Sequence, residues 1–350
     1  MKIPLGLTFD DCLLEPRKSA ILRSGVATET KLTKKITLKI PVISSAMDTV
    51  TGPEMAIALG RLGGLGVLHR NCTIEQEVTM LKAVKKQKVM AAAAVGAVDL
   101  ERAIALDKAG ADVIIIDTAH AHVAAIIKNA RLIKKKIKAQ LIVGNVATSD
   151  AARDLVGFAD AIKVGVGPGS ICTTRIVAGV GVPQLTAIMN VVKVAQKFRV
   201  PVIADGGIKY SGDIVKALAA GASCVMLGSM LAGTDEAPGK LISKGGQKFK
   251  EYRGMGSLGA MQSNQSSDRY FQKGAKRFVP EGVEAIIPYK GPLEEIIYQL
   301  VGGLRSGMGY IGTATIEQMW QKARFVQITN AGLKESHQLT VTISIKAPNY

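Results

Sequence analysis

Histidine, cysteine and aromatic side chains are all scarce in this chain. Its 350 residues include four histidines, four cysteines and only 4% aromatics. The cysteines, at 12, 72, 172 and 224, form no CxxC pair, which excludes a disulfide framework and a thiolate zinc site. So few histidines argue against a histidine-based catalytic triad. His120 and His122 form an HxH pair with no acidic cluster beside it, which offers little to a metal ion. The aromatics do not interleave with the lysines, so base-stacking recognition of single strands has no basis. No apolar run is long enough to span a bilayer, and Met1-Lys2-Ile3-Pro4-Leu5 lacks a signal-peptide apolar region. A soluble, cytoplasmic protein without membrane contact is therefore expected.

Acidic residues are also few, 28 against 45 basic ones, for a net charge of +17. The lysines cluster at 31–39, 82–88 and 128–138. They read either as solvated helix ends, where cations complement the dipole, or as a polyanion-binding face.

What is abundant is apolar sequence, 47% of the chain, enough for a large core. Eight short runs read as strands: Pro41–Ser45, Gly66–His69, Ala91–Val95, Val113–Asp117, Leu141–Gly144, Ala161–Gly165, Pro201–Asp205 and Cys224–Gly228. Helical patterns lie between them, among them Pro53–Leu62, Ile74–Lys86, Ala124–Lys136 and Pro183–Lys197, and a last one runs over Leu293–Leu304. Continuous rather than alternating apolar strands imply burial on both faces and a parallel sheet. Eight strand–helix units predict an α/β fold, a closed (β/α)8 TIM barrel forming one catalytic domain over residues 1–350. Residues 234–290 break the rhythm and read as a long mobile flap after strand eight. A C-terminal tail over 316–350 is expected to follow the last barrel helix and to contact a neighbouring subunit.

Polar residues gather at the ends of these strands, where a barrel builds its site. The richest segment is Gly165-Val166-Gly167-Pro168-Gly169-Ser170-Ile171-Cys172-Thr173-Thr174-Arg175. A cysteine on a glycine-rich turn is a candidate nucleophile. The other three cysteines read as structural. Asp205-Gly206-Gly207 and Gly228-Ser229, on the loops after strands seven and eight, predict a phosphate site, with Ser170 adding a hydroxyl; the alternative is that these glycines only turn the chain. Asp205 either accepts a ribose diol or caps the next turn. Gly254-Met255-Gly256-Ser257-Leu258-Gly259 spells GxGxxG, but Lys250-Glu251-Tyr252-Arg253 before it does not read as a buried strand, so it is not a dinucleotide fingerprint. Arg269, beside Tyr270 in the flap, is either a surface residue or a group delivered on closure.

Together these residues resemble the inosine-5′-monophosphate (IMP) dehydrogenase family across nearly the whole chain. The matching stretches are Leu7–Asp11, Ser44–Val50, Gly165–Gln184, Ala204–Ile208, Tyr252–Met261, Asp268–Gln272, Pro280–Gly282, Gly302–Gly309 and Glu335–His337. Gly167–Arg175 is equally similar to GMP reductase, a sister family on the same barrel. Arg269-Tyr270 and Glu281 belong to the dehydrogenase pattern. The resemblance implies NAD-dependent oxidation of IMP to XMP through a covalent thioimidate on Cys172, then hydrolysis with Arg269 as base, Tyr270 positioning it, and Thr174 with Glu281 as a second proton route.

It further implies a nucleotide site of Ser45, Met47, Ser170, Asp205, Gly206, Gly207, Gly228, Ser229, Tyr252, Gly254, Met255, Gly256 and Glu281. NAD would meet Asp117, Thr118, Asn145 and Gly165. A monovalent cation, usually K⁺, would bind the carbonyls of Gly165, Gly167 and Cys172 and, from the next subunit of a homotetramer, Glu335, Ser336 and His337. Two regulatory CBS modules commonly inserted after the second barrel helix are absent, since Val84-Lys85-Lys86 runs straight on to Val89–Val95. Ala121 and Val123 stand where the family commonly has Gly and Ser, and Gln338-Leu339-Thr340 replaces its usual His-Asp-Val. The competing readings are a GMP reductase, which would oxidise NADPH with GMP, and, more remotely, a nucleic-acid-binding protein suggested by the charge.

Overall fold

Eight parallel strands close into a barrel in the computed structural model, which describes residues 3–262, 267–270, 272, 274–338, 340, 341, 343 and 344. They are β1 (Val42–Ser44), β2 (Leu65–Leu68), β3 (Ala92–Val95), β4 (Val113–Asp117), β5 (Gln140–Val146), β6 (Ala161–Val164), β7 (Val202–Asp205) and β8 (Cys224–Leu227). Each pairs with its neighbours in sequence, and β8 returns to β1 through Val225–Val42, Met226–Ile43 and Leu227–Ser44, which leaves no open edge. The strand period of two divides every strand between two cores. Ile43, Val67, Ala94, Ile115, Ile203 and Met226 face the barrel axis, where Leu32 and Leu38 join them. Val42, Leu68, Ile114, Leu141, Ile162 and Val225 face outward, beneath the helices. Burial on both faces is why these strands read as unbroken apolar runs.

A helix follows each strand: α1 (Pro53–Arg61), α2 (Ile74–Lys86), α3 (Leu100–Lys108), α4 (Ala124–Lys136), α5 (Ser149–Leu155), α6 (Gln184–Ala195), α7 (Ser211–Ala219) and α8 (Leu293–Tyr310). Their ends are chemically marked. Thr73 caps α2 in a reciprocal box with Gln76, and Asp99 and Thr148 cap α3 and α5. Lysines close α2 and α4, where cations suit the dipole, and Lys134 also pairs with Asp160. α8 continues past the expected stop at Leu304 because its glycines serve close packing. A Cβ on Gly307 would lie 2.7 Å from Val215 Cγ1 of α7.

The segment expected as a flap over 234–290 carries secondary structure of its own. An antiparallel sheet of β9 (Leu241–Lys244), β10 (Gln247–Arg253) and β11 (Glu284–Pro288) frames this segment. Gly245 and Gly246, both at positive φ, make the hairpin turn between β9 and β10. Lys250–Arg253 thus does lie on a strand. It is antiparallel and belongs to the flap, so the GxGxxG after it opens no βαβ unit. A short helix at Leu258–Gln262 and a 3-10 turn at Ser267–Tyr270 complete the flap.

The tail folds back on its own chain. Phe325–Gln327 pairs antiparallel with Cys12–Leu14, and a last helix covers Asn330–Glu335. Phe271 of the matched flap stretch, Leu339, and residues 345–350 of the tail lie outside the described residues. Among the described residues no helix is long and apolar enough to cross a membrane.

Candidate active site

The parallel strands bring every strand-to-helix loop to one rim, and the loop after β6 is its centre. Gly165 starts it at φ +150°, where a Cβ would lie 2.0 Å from the Asp205 carbonyl oxygen, so only glycine fits. Arg175 braces the loop from behind: Nε donates to the Val166 carbonyl at 3.1 Å and Nη2 to that of Val182 at 2.6 Å. Cys172 is part-buried, and its thiol donates to Thr174 Oγ1 at 3.2 Å. The other cysteines are held as thiols. Burial pushes Cys72 up to about 11 and raises Cys224 and Cys12.

A cavity of about 320 Å³ opens on Cys172. It draws in nearly all the residues expected to hold a nucleotide: Ser45, Met47, Ser170, Asp205, Gly206, Gly207, Gly228, Ser229, Tyr252, Gly254, Met255 and Glu281. Gly256 does not line it and instead backs the Tyr270 ring. Tyr252 is buried and lines the cavity with Ser170 and Ser229; burial raises its pKa, keeping it a neutral donor. The Tyr252 hydroxyl comes so near Gly228 that a Cβ there would lie 2.9 Å from it. Hydroxyls and unobstructed main chain thus converge as an anionic oxygen cluster would require.

Asp205 caps nothing. Its Oδ2 accepts from Lys163 Nζ at 2.5 Å and Asn145 Nδ2 at 3.0 Å, which removes the helix-cap alternative. Lys163 escaped the sequence reading. Its side chain is 1% exposed, and its ammonium also bonds Asp117 Oδ1 at 2.9 Å and the Asn145 side-chain oxygen. The signal was available. Ala161 faces the barrel axis, so Lys163 two residues on must face it too, one layer above the apolar plug. Gln184 was also missed: its Nε2 donates to the carbonyls of Val164 at 2.9 Å and Asp205 at 3.0 Å, joining β6 to β7.

The flap is closed on this rim. Arg269 forms an ion pair with Asp117, and its main-chain oxygen accepts from Ala119 N at 3.3 Å and Thr118 Oγ1 at 3.4 Å. Arg269 and Tyr270 line the Cys172 cavity. Burial pulls the Arg269 guanidinium below its ordinary value and pushes the Tyr270 phenol above its own. The return segment of the flap is stitched to the nucleophile loop: Thr173 N donates to the Glu281 carbonyl at 2.9 Å and Val283 N to that of Ile171 at 3.0 Å. Glu281 and Thr174 both line the cavity, and the Thr174 hydroxyl is engaged by Cys172.

The residues expected on the cofactor side divide. Asn145 and Gly165 line the cavity and bond each other, Nδ2 to carbonyl at 2.6 Å. Asp117 and Thr118 face Arg269 of the flap instead. Of the residues expected at a cation site, Gly165, Gly167 and Cys172 share one loop and line the cavity. Glu335 and Ser336 are exposed, and the His337 ring lies 6.0 Å from that of Tyr210. Among the described residues no group of three or more His, Cys, Asp or Glu side chains could hold a metal ion, so a cation on this rim would depend on carbonyl oxygens. His122 pairs with Asp154 at 2.9 Å.

A family model described as "IMP dehydrogenase / GMP reductase domain" matches residues 6–338. A Cryptosporidium parvum protein named inosine-5′-monophosphate dehydrogenase is 49% identical over 391 residues, covering 99% of this chain and 98% of its own. Proteins of the same name from Aquifex aeolicus and Helicobacter pylori are 41% and 40% identical, covering 100% and 99% of this chain and 98% of their own. The Aquifex alignment runs over 481 positions against 350 residues here. That protein therefore has internal sequence without a counterpart in this chain, consistent with the absence of an inserted regulatory segment. Matched from end to end, and with a nucleophile loop, glycine-lined cavity and arginine-bearing flap on one rim, the chain belongs to the IMP dehydrogenase / GMP reductase domain family.

Proposed function

We propose that this protein is an NAD-dependent IMP dehydrogenase, converting IMP, NAD⁺ and water to XMP, NADH and a proton. The observation that carries this reading is the placement of Arg269 and Tyr270 in the same cavity as Cys172. A redox step followed by hydrolysis needs a nucleophile and a separate base for water, and the cavity offers both. The dehydrogenase names of the full-length relatives point the same way, away from GMP reductase.

The Cys172 sulfur would add to C2 of the hypoxanthine ring, its proton leaving by way of the Thr174 hydroxyl, which already accepts the thiol hydrogen bond. NAD⁺, when bound, supplies the acceptor that takes the C2 hydrogen with its electron pair. The purine would remain joined to Cys172 as a thioimidate. Asp205, fixed by Lys163 and Asn145, would accept the ribose hydroxyls, and Ser170, Ser229 and Tyr252 would hold the phosphate. Arg269 would then take a proton from water as the oxygen attacks C2, and the C–S bond would break to release XMP and restore Cys172. Burial lowers the hold of the guanidinium on its proton, while the Asp117 carboxylate beside it acts in the opposite sense. The bound dinucleotide would keep bulk water from C2 until it leaves and the flap closes in its place.

Asp117, Thr118, Asn145 and Gly165 would hold the dinucleotide. They fit it only once the flap opens, because Arg269 now occupies the Asp117 carboxylate. A monovalent cation would rest on the carbonyls of Gly165, Gly167 and Cys172, completed by Glu335, Ser336 and His337 of a second copy in a homotetramer, and would hold the loop's shape.

The test is a steady-state assay with IMP and NAD⁺ beside one with GMP and NADPH. NADH should form in the first and nothing should happen in the second. Cys172→Ala should abolish turnover, and Arg269→Ala should release one NADH per site and leave a covalent adduct visible by mass spectrometry. NADPH oxidation with GMP, or turnover by Cys172→Ala, would overturn the proposal.

A further inference from the structure

One buried cation on the barrel has no part in the chemistry described so far. Arg70, just after β2, has a side chain only 9% exposed, and its Nη1 donates to Asp268 Oδ1 at 2.9 Å and Oδ2 at 3.2 Å. Asp268 immediately precedes Arg269 in the 3-10 turn Ser267–Tyr270. The slot it enters is floored by Gly96, where a Cβ would lie 2.6 Å from Asp268 Oδ2 and 3.4 Å from Arg70 Nη1. The turn is thus held at two successive residues, Asp268 by Arg70 and Arg269 by Asp117, Thr118 and Ala119.

We propose that Arg70 is a positioning residue for the hydrolytic half-reaction: its ion pair with Asp268 seats the flap turn on the barrel and so fixes the place of Arg269. The proposal rests on Arg269 acting as the base for water. An arginine on the barrel whose partner comes from the flap favours closure, because opening withdraws its charge-assisted hydrogen bonds. The groups around the Arg269 guanidinium include Tyr270, Arg70 with its own partner Asp268, and Asp117, which also holds Lys163. The Arg70 charge acts, like burial, to lower the guanidinium's affinity for a proton, and Asp117 acts against it. Arg70 would touch neither substrate nor water.

The experiment compares Arg70→Met, Arg70→Lys, Asp268→Asn and the Arg70→Met/Asp268→Asn double variant in the full chain, with wild type and Arg269→Ala as references. Rapid mixing with IMP and NAD⁺ reads the first-turnover burst of NADH, steady state reads kcat and the KM for IMP, and mass spectrometry of the quenched enzyme reads the adduct. Arg70→Met should keep the burst rate within about twofold and lose about 10- to 100-fold in kcat, the equivalent of one charge-assisted hydrogen bond, with adduct accumulating and KM for IMP not rising. Arg70→Lys should recover part of kcat, and the double variant should be no slower than the worse single one.

A burst that slows in step with kcat, additive losses in the double variant, or unchanged turnover would each overturn the proposal. If Arg70→Met fails to fold, Asp268→Asn on the flap gives the same readout with the barrel intact. An adduct in Arg269→Ala but none in Arg70→Met or Asp268→Asn overturns this proposal alone. No adduct in Arg269→Ala overturns the base assignment, and this proposal with it.

Discussion

Replacing Lys163 with methionine tests the electrostatic centre of the barrel. Its ammonium, on a side chain 1% exposed, is shared among Asp117, Asp205 and Asn145. Methionine keeps much of the volume and removes the charge, so packing is largely preserved while two nearly buried carboxylates lose their common cation. Asp117 retains Arg269, and among the described residues Asp205 retains the Asn145 amide. Breaking a buried ion pair by deleting one partner costs about 3–5 kcal/mol. An unfolding entropy of about 2.1 cal/mol/K per residue makes each kcal/mol worth about 1.4 °C in a chain of this length, so Tm should fall by about 4–7 °C. Because Asp205 is the expected ribose acceptor, KM for IMP should rise about tenfold or more through loss of a charge-assisted bond to its anchor. Thermal unfolding followed by circular dichroism, with IMP titrations, gives both numbers, and Lys163→Arg should recover part of each. A Tm within about 1 °C of wild type together with an unchanged KM would refute the assignment of Lys163 as the organiser of the two aspartates.

Two further variants probe the flap and a buried pair on the helical side. Gly256→Ala places a Cβ 2.6 Å from Tyr270 Cζ; overpacking costs about 1–3 kcal/mol, so hydrolysis should slow about tenfold while the NADH burst survives, and stopped-flow against steady-state rates would show whether it does. Glu77, fully buried on α2 and paired with Arg102, is pushed up to about 8 by burial, with Arg102 pulling the other way. Glu77→Ala strands the arginine and should cost about 3–5 kcal/mol, whereas Glu77→Gln should cost far less. Because the folded carboxyl binds its proton more tightly than the unfolded one, its contribution is full below pH about 4.5 and is lost as pH rises toward about 8. Denaturant unfolding at both ends of that window should therefore show a steeper decline in wild type than in Glu77→Gln.

The barrel was legible because parallel strands buried on both faces must be apolar throughout, and glycine and polar residues mark where they end. The glycine-bearing loops after β6, β7 and β8 that meet at the Cys172 cavity were legible for the same reason. Lys163 was not, because one lysine in Ala161-Ile162-Lys163-Val164 looks like noise until the inward period is traced from Ala161. The flap sheet was hidden by composition. β9 is mostly exposed and β10 is lysine-bearing, with Lys250 and Tyr252 its buried residues, so neither shows an apolar alternation, and Gly245-Gly246 was the local sign of their hairpin. The pairing of Cys12–Leu14 with Phe325–Gln327 joins opposite ends of the sequence, and no local pattern encodes it. Which expected residues would face the flap depends on its position, and sequence carries no such information. The pairing of Asp117 with Arg269 of the flap was therefore not foreseen.

If Asp117 and Thr118 hold the dinucleotide as proposed, the seat of Arg269 on them makes the flap a tethered competitor for the same contacts. Stitched at Glu281 and Val283 to the nucleophile loop, it cannot diffuse away, and a short tether holds its terminus at an effective concentration on the order of millimolar. A soluble cofactor meets the open fraction alone, so its apparent dissociation constant is the intrinsic one divided by that fraction. On the proposed mechanism, cofactor affinity and the speed of the second half-reaction would be two readings of one opening equilibrium. Selection for tighter dinucleotide capture would erode the grip of the flap, and selection for faster hydrolysis would weaken capture.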